Sequence, residues 1–420
     1  AVEAVEAKAM EAVEEEKDGY QLLDSGDLRR LEMVGGVRLI RPCPSATWPR
    51  GLPAQEWTCD LEYTLNDRSS NPSALINANV EAHGWGGHRL AELAAPPPPA
   101  PSPALSSSAS PSPQPSTLRT PPPLSPRPMY TPRWQLRSEV GFVLGLQPGP
   151  SGQIGAFPEQ HENWAWLRAV CESEADTLGR PPRVLNLFAH TGGSTLACAA
   201  GGAQVTHVDG ARSAVSRARL NCEGSSLNGV RWLTEDVSTY VARAARRGES
   251  FDGLVLDPPA FGRGGPKKSE WRIQRDLPRL LFLLQEVLAD EPSFVLLTCH
   301  DRAWPADRLG EELDAMLTQA ITPVPPSSAP NPAVKKGKRP PKKETSSRVA
   351  DVQWAAGNGS KRREVQQGGR RPVPPRPSAA SHTRSQLDSR LEVGPMVLRA
   401  SAPRGRDLPL GGFARWKRSG

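Results

Sequence analysis

Three acids and a cysteine stand where apolar runs of the chain stop: Asp209 in "AQVTHVD", Asp236 in "VRWLTED", Asp257 in "FDGLVLDPPAF" and Cys299 in "SFVLLTCH". Before them comes "VLNLFAHTGGST", a run that turns at Thr191-Gly192-Gly193. Gly192 and Gly193 permit a close approach of backbone to ligand, and Ser194 can cap the helix that follows. Asp209, 16 residues beyond Gly193, is placed to accept both hydroxyls of a ribose. Asp236 can accept from the amino group of an adenine. A dinucleotide would want G-x-G-x-x-G, so that its pyrophosphate rests on the helix N-terminus. Only T-G-G is present, and no P-loop lysine follows. The pattern points to an adenosine without phosphates.

"LVLDPPAF" carries a second chemistry. Pro258-Pro259 forces an extended chain with no N–H at either position. Strand-end carbonyls are then expected to point into a cleft beside Asp257, with Phe261 as a flat face. Such a corner can accept hydrogen bonds from an exocyclic amine while an aromatic ring stacks on the base. Glu159 and Gln160, in "FPEQ", start a helix where its dipole favours an acid.

These residues need a scaffold, and the chain supplies a strand–helix alternation from Val184 onward. Strand-like runs are separated by "SAVSRARLNCEGS", "VSTYVARAARRG" and "WRIQRDLPRLLFLLQEVLAD". In the last, Leu277, Leu280, Leu281, Leu284, Val287 and Leu288 recur at helical spacing. The expected fold class is α/β, a Rossmann-like, mostly parallel sheet with helices on both faces. Ligands of such sheets sit beyond the carboxyl ends of the strands, where strand order reverses. "LEVGPMVLRAS" and "LGGFARWK" read as a closing hairpin.

The remaining segments divide as follows. Residues 1–17 read as an acidic helix or tail, and 18–94 as a small β-rich module. Residues 95–128 are almost wholly Pro, Ser and Ala, a composition expected to be disordered. A β-hairpin over 129–158 is expected to complete the module, leaving 159–420 as the α/β domain. Within it, 321–390 forms a second, basic insertion. It holds fifteen Lys and Arg against four Asp and Glu, in a chain whose net charge is +7, so the rest is mildly acidic. Such an arm suits a phosphate backbone, and equally a solubilising insertion or an import-like patch. The six cysteines show no paired spacing, which favours reduced thiols inside a cell or an organelle. No apolar run reaches 18 residues, so no membrane-spanning helix is expected.

The run "VLNLFAHTGGSTLACAAGGAQVTHVD…FDGLVLDPPAFGRG…SFVLLTCH" resembles the class I S-adenosylmethionine-dependent methyltransferases. More narrowly, it resembles the bacterial-type 23S rRNA large-subunit methyltransferases with a D-P-P-x-F motif. "YQLLDSGDLRRLEMVGGVRLIRP", "GAFPEQHENWAWL" and "LPLGGFARW" are similar to that family's flanking segments. The resemblance implies a seven-stranded sheet and S-adenosylmethionine as cofactor. Its methionine end would lie near Phe188, Thr191, Gly192 and Gly193, its ribose at Asp209 and its adenine at Asp236, with Glu159 and Gln160 on the cofactor side. Two acceptors remain open. An exocyclic base amine would use Asp257, Pro258, Pro259 and Phe261. Cytosine C5 would need a thiol adding to C6, and Cys299 stands where cytosine-C5 RNA methyltransferases carry Thr-Cys-Ser, with His300 here replacing the Ser. His300 beside it is expected to lower the thiol pKa. RNA, ribosomal RNA first, is the expected partner. The competing expectations are a non-catalytic RNA-binding protein and a methyltransferase for another substrate. No metal is expected.

Overall fold

Runs of four to six apolar residues that are buried on two sides build the centre of the molecule. In the computed structural model, which describes residues 18–65, 83–94, 132–149, 151–263, 270–318, 389–401 and 405–418, seven strands form one sheet. Five of them run parallel: β8 (Arg183–Leu187), β9 (Gln204–Asp209), β10 (Val230–Thr234), β11 (Gly253–Leu256) and β14 (Phe294–Cys299). Two long antiparallel strands, β15 (Ser389–Leu398) and β16 (Leu408–Arg418), close one edge. The order is β10-β9-β8-β11-β14-β16-β15. Chain order reverses between β8 and β11, and that is where an open sheet leaves a crevice.

Alternation along the strands assigns side chains to two cores. Val184, Val205, Val255, Phe294 and Leu296 join one cluster, with residues of α2 (His161–Leu178) and α3 (Gly193–Ala200). Leu185, Leu187, Val208, Leu254, Leu256, Val295 and Leu297 join the other. That second cluster takes in α5 (Val237–Arg247), α6 (Ile273–Gln285) and α7 (Ala306–Thr318). Helices therefore cover both faces, as expected of the sequence. The apolar stripe of α6 is buried from Leu277 to Leu284; Val287 continues it past the helix end. Between β9 and β10 runs α4 (Arg212–Gly224).

A second sheet comes from the N-terminal segment. β1 (Tyr20–Gly26), β2 (Arg29–Val34), β3 (Val37–Pro42), β4 (Leu61–Leu65) and β5 (His83–Gly86) pair in that order. The first hairpin turns on Asp27 and Leu28, both left-handed at φ 50° and 62°, rather than on Gly26. Gly26 ends the strand instead. A short helix α1 (Leu90–Ala94) follows, and β6 (Gln135–Ser138) and β7 (Phe142–Gly145) form a two-stranded sheet of their own. Leu22 of β1 bridges Ala400, and its carbonyl accepts from Ser401 N–H and Oγ, which ties the N-terminal sheet to the end of β15. The last pair, β12 (Phe261–Arg263) and β13 (Glu270–Arg272), projects beyond β11.

The expectations for residues 1–17 and 95–128 lie outside the described residues, as does 321–388. Ser389 and Arg390, read as the end of the basic insertion, already belong to β15. Among the described residues no helix is long and apolar enough to cross a membrane.

Candidate functional site

The strand-to-helix turn after β8 is held in a costly conformation. Phe188 and His190 have positive φ, 55° and 46°, which L-residues adopt only under constraint. Asp209 supplies the constraint: Oδ2 accepts from His190 N–H at 2.9 Å and Oδ1 from Ala211 N–H at 2.7 Å. One carboxylate thus fixes both the turn after β8 and the turn after β9. Thr191 donates its hydroxyl to the Gly155 carbonyl at 2.7 Å, and its own carbonyl accepts from Asn221 Nδ2.

The glycines act differently from expectation. Gly192 sits at φ 95° as the N-cap of α3, with no side-chain cap, so Ser194 does not perform the capping read from the sequence. At Gly193 an added Cβ would come 2.6 Å from the Trp164 ring. That bare position accommodates Trp164 rather than simply opening space for a ligand.

A cavity of about 560 Å³ opens over these turns. Its walls include Gln160, Phe188, Thr191, Gly192, Gly193, Asp209, Asp236, Asp257, Pro258 and Pro259, ten of the thirteen candidate residues. Asp236 is the N-cap of α5: its Oδ1 accepts from the N–H and the hydroxyl of Thr239, both at 2.9 Å. Asn186, on β8, also lines the cavity. Its Nδ2 donates to Thr195 Oγ1 at 2.8 Å, which lies 2.8 Å from His207 Nδ1. Burial pulls His207 down to about 3. The ring is neutral, accepts the Thr195 proton, and so fixes the orientation of the Asn186 amide.

Asp257 lies just beyond β11. Oδ1 accepts from Thr298 Oγ1 at 2.7 Å and Oδ2 from Gln160 Nε2 at 3.3 Å; His300 Nε2 lies 3.7 Å from Oδ2. Burial pushes this carboxyl up, but the His300 charge and the hydrogen bonds outweigh it and hold it below its ordinary value. Asp257 is therefore an ionised, fixed acceptor at neutral pH.

Three candidates fall outside the cavity walls: Phe261, Cys299 and Glu159. Phe261 is 40% exposed at the start of β12, with the Arg272 guanidinium over its ring. Pairing in the β12–β13 hairpin sets Phe261 opposite Arg272 and Gly262 opposite Trp271, and alternation gives the cavity to the second pair. Trp271, which the sequence did not single out, is the aromatic face of this site. Its ring meets Phe188 at 4.8 Å, and its Nε1 donates to the Pro259 carbonyl at 2.7 Å. One strand-end carbonyl expected to face the cleft is thereby occupied.

Cys299 is fully buried in the core shared with Leu297 and Trp304. Alternation along β14 sends Thr298 to Asp257 and Cys299 to the opposite face. Burial pushes its thiol up to about 12, and it accepts from Asp301 N–H at 3.3 Å. His300 does not lower it. That imidazole lines the cavity between Asp257 and Glu159, with Nδ1 2.9 Å from the Leu410 carbonyl. Glu159 is buried beside His300, on the far side of the Pro158–Gln160 turn from the cavity.

The cavity walls hold Asp209, Asp236 and Asp257, and no Lys or Arg among the described residues. That charge repels phosphate and suits a cationic ligand with hydroxyl and amine donors. The volume falls within the usual range of about 300–1,000 Å³ for small-molecule sites.

Comparison with known proteins agrees with this geometry. Residues 134–319 match the family model of S-adenosylmethionine-dependent methyltransferases. A ribosomal RNA large subunit methyltransferase I from Aeromonas salmonicida is 36% identical over 120 residues, 28% of this chain and 29% of that protein. A 23S rRNA (uracil-C5)-methyltransferase from Alkalilimnicola ehrlichii is 33% identical over 124 residues, 29% of this chain and 26% of that one. The chain thus spans under a third of the length of these relatives. The crystal structure of a SAM-dependent methyltransferase from Agrobacterium tumefaciens shares the fold. Its TM-score is 0.60 at 22% identity, over 95% of this chain and 90% of that one.

Proposed function

We propose that this chain, whose residues 134–319 match the family model of S-adenosylmethionine-dependent methyltransferases, is such an enzyme and methylates a base of RNA, ribosomal RNA first. The observation that carries the reading is a single cavity in which Asp209 and Asp236, on neighbouring strand ends, face Asp257 and the proline corner, with no Lys or Arg among its described walls. The named activity of the ribosomal RNA relatives supports RNA as the substrate.

The residues present fit the cofactor. Asp209 would take the ribose hydroxyls and Asp236 the adenine amine; the methionine end would lie along Phe188, Thr191, Gly192 and Gly193, with Gln160 at its edge. Glu159, outside the walls, is left out of that set. When bound, S-adenosylmethionine supplies an activated methyl group on a sulfonium. The protein's part is to exclude water, align the acceptor and accept hydrogen bonds from it. Trp271 and Phe188 offer a stacking face. Asp257, held by Thr298 and Gln160, accepts from an exocyclic amine and raises the availability of its lone pair. That amine is the acceptor the cavity supports best, because Cys299 lies in the core beneath it.

The basic tract, shortened to 321–388, would hold the RNA backbone through its fourteen Lys and Arg. All six cysteines are free, which fits a reducing compartment, cytoplasm or organelle.

The test is calorimetric titration of the purified chain with S-adenosylmethionine, followed by mass spectrometry of ribosomal RNA nucleosides from cells with and without the gene. Absence of cofactor binding refutes the enzymatic reading. A missing N-methyl base supports the Asp257 corner; missing 5-methylcytosine returns Cys299 to the mechanism.

A further inference from the structure

His300 and Glu159 are neighbouring ionisable groups at the site that the proposed reaction leaves without a task. His300 is exposed just past the end of β14, and its surroundings fix the role of Nδ1. Nδ1 lies 2.9 Å from the Leu410 carbonyl of β16, and a carbonyl can only accept, so Nδ1 carries a proton. Nε2 faces the cavity, 3.7 Å from Asp257 Oδ2, too far for a direct hydrogen bond. Behind the ring, Glu159 Oε1 lies 3.7 Å from Nδ1, and the Phe157 ring packs at 5.9 Å.

We propose that His300 is a specificity-determining residue for the acceptor. Its Nε2–H and the Asp257 carboxylate, side by side, read an adjacent acceptor and donor on the edge of a planar base, and Glu159 is the positioning residue that holds the ring for this. The inference rests on the methyltransferase reading for what enters the cavity, and for the state of His300 on the Leu410 carbonyl at Nδ1 and the two carboxylates 3.7 Å from the ring.

Charges around the ring support it. Burial pulls the imidazolium down, but Asp257 and then Glu159 outweigh it and hold His300 up to about 9, so both nitrogens are donors at neutral pH. His190, the other imidazole in the cavity wall, is pulled down by burial against Asp209 and Asp257 and does not compete as a cation. Glu159 is itself tied to the N-terminal sheet. Its charge bears on Tyr20 of β1 and Arg30 of β2, which lie with Arg41 around the buried Glu32. Its Oε2 is buried with no hydrogen-bond partner among the described residues. The N-terminal sheet thereby reaches the acceptor corner through one side chain.

The experiment has two arms on the full chain. In the first, histidine-labelled protein is titrated by NMR without cofactor or RNA, with His300→Gln identifying the resonance. Glu159→Gln is expected to lower the His300 midpoint by about one unit, a tenfold loss of proton affinity. Glu159→Asp is expected to recover part of it and stands in should the glutamine variant not fold. An unmoved midpoint overturns the positioning role. In the second, methyl transfer to ribosomal RNA is measured for His300→Leu and His300→Gln. Loss of a charge-assisted donor predicts a fall of about tenfold to a hundredfold in kcat/KM for His300→Leu. Partial recovery is expected in His300→Gln, with cofactor Kd unchanged in both. Full kcat/KM in His300→Leu overturns the specificity role. Because the titration needs no ligand, its failure leaves the methyltransferase reading standing, and absent cofactor binding sinks that reading without touching the titration.

Discussion

Replacing Asp209 by Asn alters one atom pair and separates ligand contact from fold. In the parent, both carboxylate oxygens accept backbone amides, from His190 at 2.9 Å and Ala211 at 2.7 Å. An asparagine offers one acceptor and one NH2 donor, so one amide must face a donor. A lost hydrogen bond to a charged group costs about 1.5–3 kcal/mol. The turn it anchors carries Phe188 and His190 at left-handed φ, a strain of order 1–3 kcal/mol per residue, so its release is favoured once the anchor weakens. If the same carboxylate also takes the ribose, the cofactor loses both a contact and its prepared turn, together about 3–4 kcal/mol, or roughly two to three decades in Kd. Asp236→Asn is the control. Asparagine caps a helix as well as aspartate does, so α5 keeps its Thr239 contacts and stability is unchanged. Any loss of affinity there reports the ligand alone. Titration calorimetry and thermal melts on both variants give the readout. An Asp209→Asn chain that binds S-adenosylmethionine within threefold of the parent refutes the reasoning.

Four further outcomes follow from the geometry. Asp257→Asn should cut methyl transfer by about two to four decades while cofactor Kd stays within threefold, measured by labelled-methyl incorporation. Cys299→Ala should keep transfer within about threefold, since the thiol lies in the core and burial holds it near 12; a thousandfold loss would establish it as nucleophile. Trp271→Leu should lower kcat/KM for RNA by about five- to a hundredfold, from the roughly 1–3 kcal/mol of base stacking, and Phe261→Leu should not; the reverse order refutes the hairpin assignment. For pH, the folded His300 is raised above its ordinary 6.5, so its contribution is complete below 6.5 and is lost as pH rises through about 9. Urea midpoints of the parent should fall between pH 6.5 and 8.5 relative to His300→Gln, and parallel slopes would contradict this.

Sheet and helices were legible because the central strands β8, β11 and β14 are apolar runs buried on both faces, a signal that survives without knowledge of partners. The acids at 209, 236 and 257 were legible for a related reason: they end strand-like runs, and parallel strands bring their ends together. Turn chemistry was less so. In the first hairpin Asp27 and Leu28, not the adjacent Gly26, take the left-handed positions, because the two-residue loop is fixed by the register of β1 against β2 rather than by the nearest glycine.

What the sequence could not carry is which face of a strand each chemically able side chain joins. Cys299 and Thr298 are neighbours, and one residue of register decides which meets Asp257 and which enters the core. The same one-residue parity exchanges Phe261 for Trp271 across β12 and β13. Glu159 and Gln160 divide likewise at their turn: Gln160 reaches Asp257 and Thr298, while Glu159 turns toward His300 and the N-terminal sheet. In each case the motif lies beside the cavity and parity decides which side chain turns toward it. A D-P-P-x-F run is therefore read here through its third dimension: the aspartate and prolines build the corner, and the aromatic surface is delivered from the strand that pairs back on it.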